Sequence, residues 1–218
     1  MDNQPTIRSL TKDAELRTFQ LEKLRRLQNE RYRFYTPNGK AETFIRIVGE
    51  DKHFINLFIA ANGVGKTACE CNLMANICFE PHKPWFDYPL YNNWPYIKKG
   101  RIISDPTTVT KTIVPELHKW FPQGRYTTSK ESKQFDSLWR TDTGFEFDIM
   151  TYEQDVKEFE SATLGFALFD EPPPEDIFKA TISRMRRGGI IIVGFTPLQG
   201  SAFFYDQYVT SSDTVIYP

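Results

Sequence analysis

Apolar positions along this chain change their spacing several times, and each change marks an element. Across residues 8–34, Leu16, Phe19, Leu21, Leu24 and Leu27 stand among Lys, Arg, Glu and Gln mostly at three-residue steps, with Leu21 off the pattern. This predicts a charged amphipathic helix that ends before the turn TPNG at 36–39. Its basic half, KLRRLQNERYR, reads equally well as a contact surface or as a solvated helix face. A second helix is predicted over about 41–49. Beyond it, continuously apolar runs alternate with helical ones. INLFIA is a strand and KTACECNLMANICF a helix, and the Pro- and aromatic-rich EPHKPWFDYPLYNNWPY admits no regular helix. RIISD is a strand, and TVTKTIVPELHKWF is helical with Pro115 interrupting it. SLWRT and FEFDIMT form a hairpin about the turn DTG. LGFALFD is a strand, DIFKATISRMRR a helix, GIIIVGF a strand and SAFFYDQY a helix.

Alternating apolar strands and helices predict an α/β fold. Its mostly parallel central sheet is flanked by helices on both faces and carries an added antiparallel hairpin. We divide the chain into a helical lead-in, residues 1–34, and a core, 35–218. No apolar run approaches the length of a membrane span, and no repeat or low-complexity tract is visible.

The linker between INLFIA and the next helix carries chemistry. Ala60-Ala61-Asn62-Gly63-Val64-Gly65-Lys66-Thr67 matches the phosphate-loop pattern G-x-x-x-x-G-K-[ST], with alanine in place of the first glycine. Gly63 and Gly65 allow backbone N–H groups to curl around a phosphate, and the helix N-terminus behind them attracts the anion. Lys66 then reaches the β/γ oxygens of a nucleotide, and the Thr67 hydroxyl holds Mg²⁺. Alanine at position 60 adds one methyl group and is tolerated where φ is negative. The candidate nucleotide contacts are Ala61, Asn62, Gly63, Val64, Gly65, Lys66 and Thr67.

A magnesium site also needs a carboxylate on a neighbouring parallel strand. LGFALFDE supplies Asp170 for the metal and, one residue on, Glu171 as the general base that polarises the attacking water. An acid directly after the metal-binding aspartate marks the phosphate-loop NTPases that carry their own catalytic glutamate (ASCE). Pro172, Pro173 and Pro174 make a stiff exit behind it. GIIIVGF ends in Thr196-Pro197-Leu198, and a hydroxyl there is placed to sense the γ-phosphate and couple hydrolysis to another surface.

Taken together, AANGVGKT, TYEQDVKEFES, FDEPPPEDIF and GFTPLQG, spread over about 35–208, resemble the ATPase domain of the large terminase subunits, the DNA-packaging motors of tailed bacteriophages. The resemblance implies a RecA-like ATPase with ATP and Mg²⁺ as cofactors. Lys66 and Thr67 would sit on phosphates and metal, Asp170 on the metal, Glu171 as catalytic acid, and Thr196 in the coupling motif. It implies double-stranded DNA, the portal protein of a procapsid and a small terminase subunit as partners. It also implies a homo-oligomeric ring, commonly a pentamer, in the host cell cytoplasm and away from any membrane. Two positions depart from the family pattern. Asn62 stands where many members have arginine, and Ala41, beside Glu42, stands near the place of an adenine-reading glutamine, which leaves Phe34 and Tyr35 as aromatic candidates for the base. Terminases generally carry a nuclease domain as well. Nothing after Tyr208 is long enough for one, so the chain reads as an isolated ATPase domain that does not cut DNA.

The missing loop arginine sends the search to a neighbouring subunit. The candidates are Arg184, Arg186 and Arg187, read as near the nucleotide edge, and Arg101, Arg125 and Arg140. The expectation is slow hydrolysis by an isolated, mainly monomeric domain. A net charge of −1 offers no global attraction to DNA, which leaves KLRR at 23–26 and KKGR at 98–101 as local basic stretches. Three cysteines, two of them in a C-x-C pair, and three scattered histidines form no metal-ligand spacing. Competing readings are a helicase-like RecA ATPase, which needs a second lobe, a phosphate-loop kinase, which leaves Glu171 without a purpose, and a non-enzymatic nucleotide-binding module.

Overall fold

The computed structural model describes residues 7–131, 133–196 and 202–209. A seven-stranded sheet runs through it in the order β1-β7-β6-β2-β5-β4-β3. Its strands are β1 (Ile55–Ile59), β2 (Lys99–Ser104), β3 (Tyr126–Ser129), β4 (Leu138–Thr141), β5 (Glu146–Thr151), β6 (Phe166–Asp170) and β7 (Ile190–Phe195). β1, β7, β6, β2 and β5 are mutually parallel, and β4 and β3 add antiparallel to that block. The predicted SLWRT–FEFDIMT hairpin is thus β4–β5, while β3 went unread. Its sequence, YTTS, is short and half exposed, without an apolar run to mark it.

The sheet is covered on both faces because β6 and β7 are apolar at nearly every position and buried throughout. One face packs against α2 (Gly39–Gly49), α3 (Lys66–Cys78) and the helical stretch formed by α5 (Pro106–Thr108), a π-turn at Val109–Ile113 and α6 (Val114–Trp120). Between α3 and β2 the Pro-rich segment makes one short turn, α4 (Pro89–Asn92). Pro115 does not break its helix. The widened π-turn precedes it, and the proline enters the first turn of α6, where its missing N–H costs nothing. The other face packs against α7 (Glu175–Ile182), the 3₁₀ turn Val156–Glu160 and Phe204 of α8 (Ala202–Phe204).

The lead-in helix, α1 (Ile7–Asn29), is shorter than predicted, and a 3₁₀ turn at Arg31–Phe34 follows it. Its apolar positions are not a core stripe, since Leu16, Phe19, Leu21 and Leu24 are all more than half exposed. The basic stretches are largely occupied within the chain. Arg25 and Arg26 both pair with Glu22, Lys98 donates to the Thr143 carbonyl, and Lys99 pairs with Glu146. No described helix is long and apolar enough to cross a membrane.

Candidate nucleotide site

All five parallel strands end at one edge of the sheet, and the loops after β1, β2 and β6 converge there with Thr196 at the tip of β7. The loop after β1 takes the shape its glycines permit. Gly63 and Gly65 have φ of +79° and +85°, and a Cβ at either would meet nothing within 4 Å. They are needed for conformation rather than for room. Ala60 is buried and is not among the residues with positive φ, so the alanine in place of the first glycine is unstrained. Gly65 is the N-cap of α3 and brings no side chain to the first-turn N–H groups, leaving them for an anion. Asn38 caps α2 through its side-chain oxygen, and its amide nitrogen donates to the Val64 carbonyl at 3.1 Å, tying the loop to the preceding helix.

Lys66 is buried and folded back onto its own loop. Its ammonium donates to the carbonyls of Ala60 (3.0 Å) and Ala61 (3.3 Å) and to the Thr196 hydroxyl (2.8 Å). The Thr67 hydroxyl donates to Asp170 Oδ1 at 3.3 Å across 103 residues of sequence. Burial, and then the charge of Glu171, push the Asp170 carboxyl up to about 6, against smaller opposing effects of Thr67 and Lys66. A buried carboxylate held up in this way, with a hydroxyl converging on it, suits a divalent cation such as Mg²⁺.

Asp170 does not lie on a strand adjacent to the phosphate loop, as the sequence reading had it, because β7 lies between β1 and β6. That insertion places Thr196, at the tip of β7, between the loop and the acids. The Thr196 hydroxyl is 2.8 Å from Glu171 Oε1 and 2.9 Å from Asn62 Oδ1, and its backbone N–H donates to Glu171 Oε2 at 3.2 Å. One hydroxyl hydrogen serves one acceptor at a time, so Thr196 accepts from Lys66 and alternates its own donation between Glu171 and Asn62. Asn62, in the position where many terminases have arginine, ties the loop to Thr196. Pro197 to Ser201, the rest of that motif, lie outside the described residues.

Glu171 has φ of +73°, a left-handed conformation that costs a non-glycine residue about 1–3 kcal/mol. Opposite the acids on β7, Gly194 has no Cβ because the Glu70 carboxyl of α3 fills the space, with Oε1 only 2.3 Å from where that carbon would sit. Glu70 is fully buried, and neither carboxyl oxygen has a hydrogen-bond partner. Burial first, and then Asp170, raise its pKa well above the usual carboxylate range, with Lys66 opposing.

A cleft of about 460 Å³, within the usual range for small-molecule sites, opens over this edge. Asn62, Gly63, Gly65, Lys66 and Thr67 line it on one side and Asp170 and Glu171 on the other. Ala61 and Val64 do not line it; the Ala61 carbonyl accepts from Lys66 within the loop, and the Val64 carbonyl from Asn38, which caps the preceding helix. Asp105, Thr108, Thr112 and Glu116, from the end of β2 and the helices after it, complete the wall and were not anticipated. Their signal in the sequence was the acid closing RIISD, which also caps α5. Ala41 is buried, Tyr35 packs edge-on against Trp120, and neither these nor Phe34 line the cleft.

The arginine candidates separate. Arg101 is 1% exposed and locked in a bidentate pair with Asp148, donating also to the Phe159 carbonyl, so it cannot reach another subunit. Arg125 bridges Glu80 and Asp142, and Arg140 pairs with Glu146. Arg184, Arg186 and Arg187 precede β7 rather than follow it. The reading that put them near the nucleotide edge is overturned, because they stand at the opposite end of a six-residue strand, about 20 Å away. Arg186 and Arg187 are exposed there. Among the described residues no cluster of three or more His, Cys, Asp or Glu side chains is arranged to hold a metal, and the three cysteines are buried.

No family model matches this sequence, and no curated protein matches it. Solved structures do. The large terminase of the HK97 bacteriophage superposes with a TM-score of 0.59 at 11% identity, covering 82% of this chain and 38% of its own. A large terminase from a thermophilic bacteriophage, solved in complex with ADP, superposes at 0.53 and 14% identity, covering 85% of this chain and 43% of its own. The ATPase domain of the Thermus phage P74-26 large terminase gives 0.49 at 13% identity, covering 86% and 75%. The chain therefore spans less than half the length of the first and second of these proteins. Its sheet, its flanking helices and its two superpositions above 0.5 agree on one architecture: the chain has the α/β, RecA-like fold found in the phage large terminases.

Proposed function

We propose that this chain is the ATPase domain of a viral DNA-packaging motor, hydrolysing ATP to ADP and phosphate to translocate double-stranded DNA into a procapsid. The observation that carries the proposal is the run of hydrogen bonds from Lys66 through Thr196 to Glu171, beside the Thr67–Asp170 contact. It joins the phosphate loop, the acidic strand end and the coupling strand at the open N-terminus of α3.

In this reading the first-turn N–H groups of α3 take the β-phosphate, and Lys66 leaves its loop carbonyls for the β/γ oxygens. Thr67 and Asp170 would hold Mg²⁺, whose charge would offset that of the phosphates. Glu171 accepts a proton from the water whose oxygen attacks the γ-phosphorus, as the bond to the ADP oxygen breaks. Thr196 touches both Lys66 and Glu171, so it senses the nucleotide state. The domain works in a homo-oligomeric ring, a pentamer, on the portal protein, with a small terminase subunit delivering DNA in the host cell cytoplasm, and it is a monomer when isolated. Among the described residues no lysine or arginine but Lys66 lines its cleft, so it depends on an arginine from the next subunit.

Nucleotide binding and phosphate release by wild type, Lys66→Ala and Glu171→Gln, with and without double-stranded DNA, test this. Lys66→Ala is expected to lose binding, and Glu171→Gln to bind ATP without turning it over. Hydrolysis surviving in Glu171→Gln removes Glu171 as the base. Phosphate moving to an added acceptor rather than to water replaces the motor with a kinase.

A further inference from the structure

We infer that Tyr152 is a positioning residue for Glu171, its phenol clamping the backbone of the catalytic glutamate from behind the sheet edge. The inference rests on the ATPase reading above. Tyr152 lies in the turn after β5, two strands away from β6 in the sheet. Its hydroxyl donates to the Glu171 carbonyl at 2.7 Å and lies 3.4 Å from the Asp170 carbonyl. Glu171 needs such a clamp because its φ is +73°, and a side-chain-bearing residue stays there only when its surroundings over-determine it.

The restraints on Glu171 come from different directions. Its N–H donates to the Gly194 carbonyl at 3.0 Å, and its carboxylate accepts from the Thr196 N–H and hydroxyl. Those contacts fix the residue on the β7 side. Tyr152 fixes the opposite peptide, which leads into Pro172 and therefore carries no N–H of its own to hold it. Without the phenol, φ is free to relax toward negative values, which swings Cβ and carries the carboxylate away from Thr196 and the cleft.

Tyr152 is itself well anchored. Its N–H donates to the Ser104 carbonyl at 3.0 Å, and its turn is closed by Gln154, whose side-chain oxygen accepts from the Thr151 N–H at 2.9 Å. The same oxygen accepts from Lys133, in the loop between β3 and β4, at 3.1 Å. Burial, and then the charges of Asp170 and Glu171, hold the phenol protonated, so it remains a donor at any working pH. A purely apolar role is the competing account, because the ring also packs against the cluster under α7.

Tyr152→Phe separates the two, since it keeps the ring and removes the donor. Steady-state ATP hydrolysis and the binding of a fluorescent ATP analogue are measured for wild type, Lys66→Ala and Tyr152→Phe, with rates taken per folded molecule from melts run alongside. We expect kcat of Tyr152→Phe to fall about tenfold or more while nucleotide affinity stays within about twofold, the signature of an interaction needed in the transition state alone. A kcat within about twofold of wild type overturns the proposal, as does a parallel loss of rate, affinity and melting temperature. Wild type no faster than Lys66→Ala is a different failure, since it overturns the ATPase reading and takes this inference with it.

Discussion

Lys66 and Thr196 stand 130 residues apart in the chain and 2.8 Å apart in space. The lysine that would neutralise phosphate is held by the strand tip that also holds Glu171. Any anion that draws Lys66 forward takes away one of the Thr196 partners. A change at the phosphate loop is thereby felt at the acid without a contact between the two.

Thr196→Val tests that relay. The valine keeps the shape of the side chain but removes the hydroxyl shared by Lys66, Asn62 and Glu171. ATP affinity is expected to change little, hydrolysis to drop at least about tenfold, and stability to fall by about 1–3 kcal/mol as buried polar groups lose a partner. Phosphate release and chemical melts report the two effects, and unchanged hydrolysis would rule the relay out.

Glu70 makes a pH prediction. Its folded-state pKa is raised above the unfolded value of 4.5, chiefly by burial. Below pH 4.5 both states hold the proton and nothing is lost. Above it the unfolded chain releases the proton while the folded one keeps it, so stability declines as pH rises toward the folded pKa. Glu70→Gln removes this slope. Urea melts at about pH 5 and about pH 8, without nucleotide or metal, should show the variant gaining on wild type at the higher pH, even if the amide itself costs something at both. Parallel pH profiles would contradict the assignment.

Arg101 is a structural ion pair. Arg101→Ala strips a 1% exposed guanidinium from Asp148 and the Phe159 carbonyl and should destabilise the domain by about 3 kcal/mol. The rate per folded molecule should not change. A stable variant with impaired turnover in the assembled state would instead restore Arg101 as a residue acting on another subunit.

Arg186 and Arg187 bear on the ring proposal. They are exposed at the edge of the sheet opposite the cleft, and a head-to-tail ring brings unlike surfaces together. Replacing both with alanine should leave the slow turnover of dilute protein unchanged and abolish any rise in specific activity with protein concentration or on assembly. An equal rise in the double variant removes both residues from the active site of the neighbour.

What the sequence determined by itself was local. Apolar runs bounded by glycines and prolines located six of the seven strands, because strand burial and turn geometry are short-range properties. The loop 60–67 and the acids at 170 and 171 stood out as candidates because phosphate chemistry needs fixed residue types a few positions apart, and the fold brings them to one cleft. The tertiary structure decided what depends on strand order and burial. Only the order β1-β7-β6 puts Thr196 between Lys66 and Glu171. Only the strand direction puts Arg184, Arg186 and Arg187 at the far edge, and only packing buries Arg101 and leaves Glu70 without a partner against Gly194. Tyr152 was visible inside a recognised segment, yet its hold on Glu171 depends on a carbonyl oxygen, and every residue has one. A backbone acceptor leaves no mark in the sequence, so that contact could be found only in three dimensions.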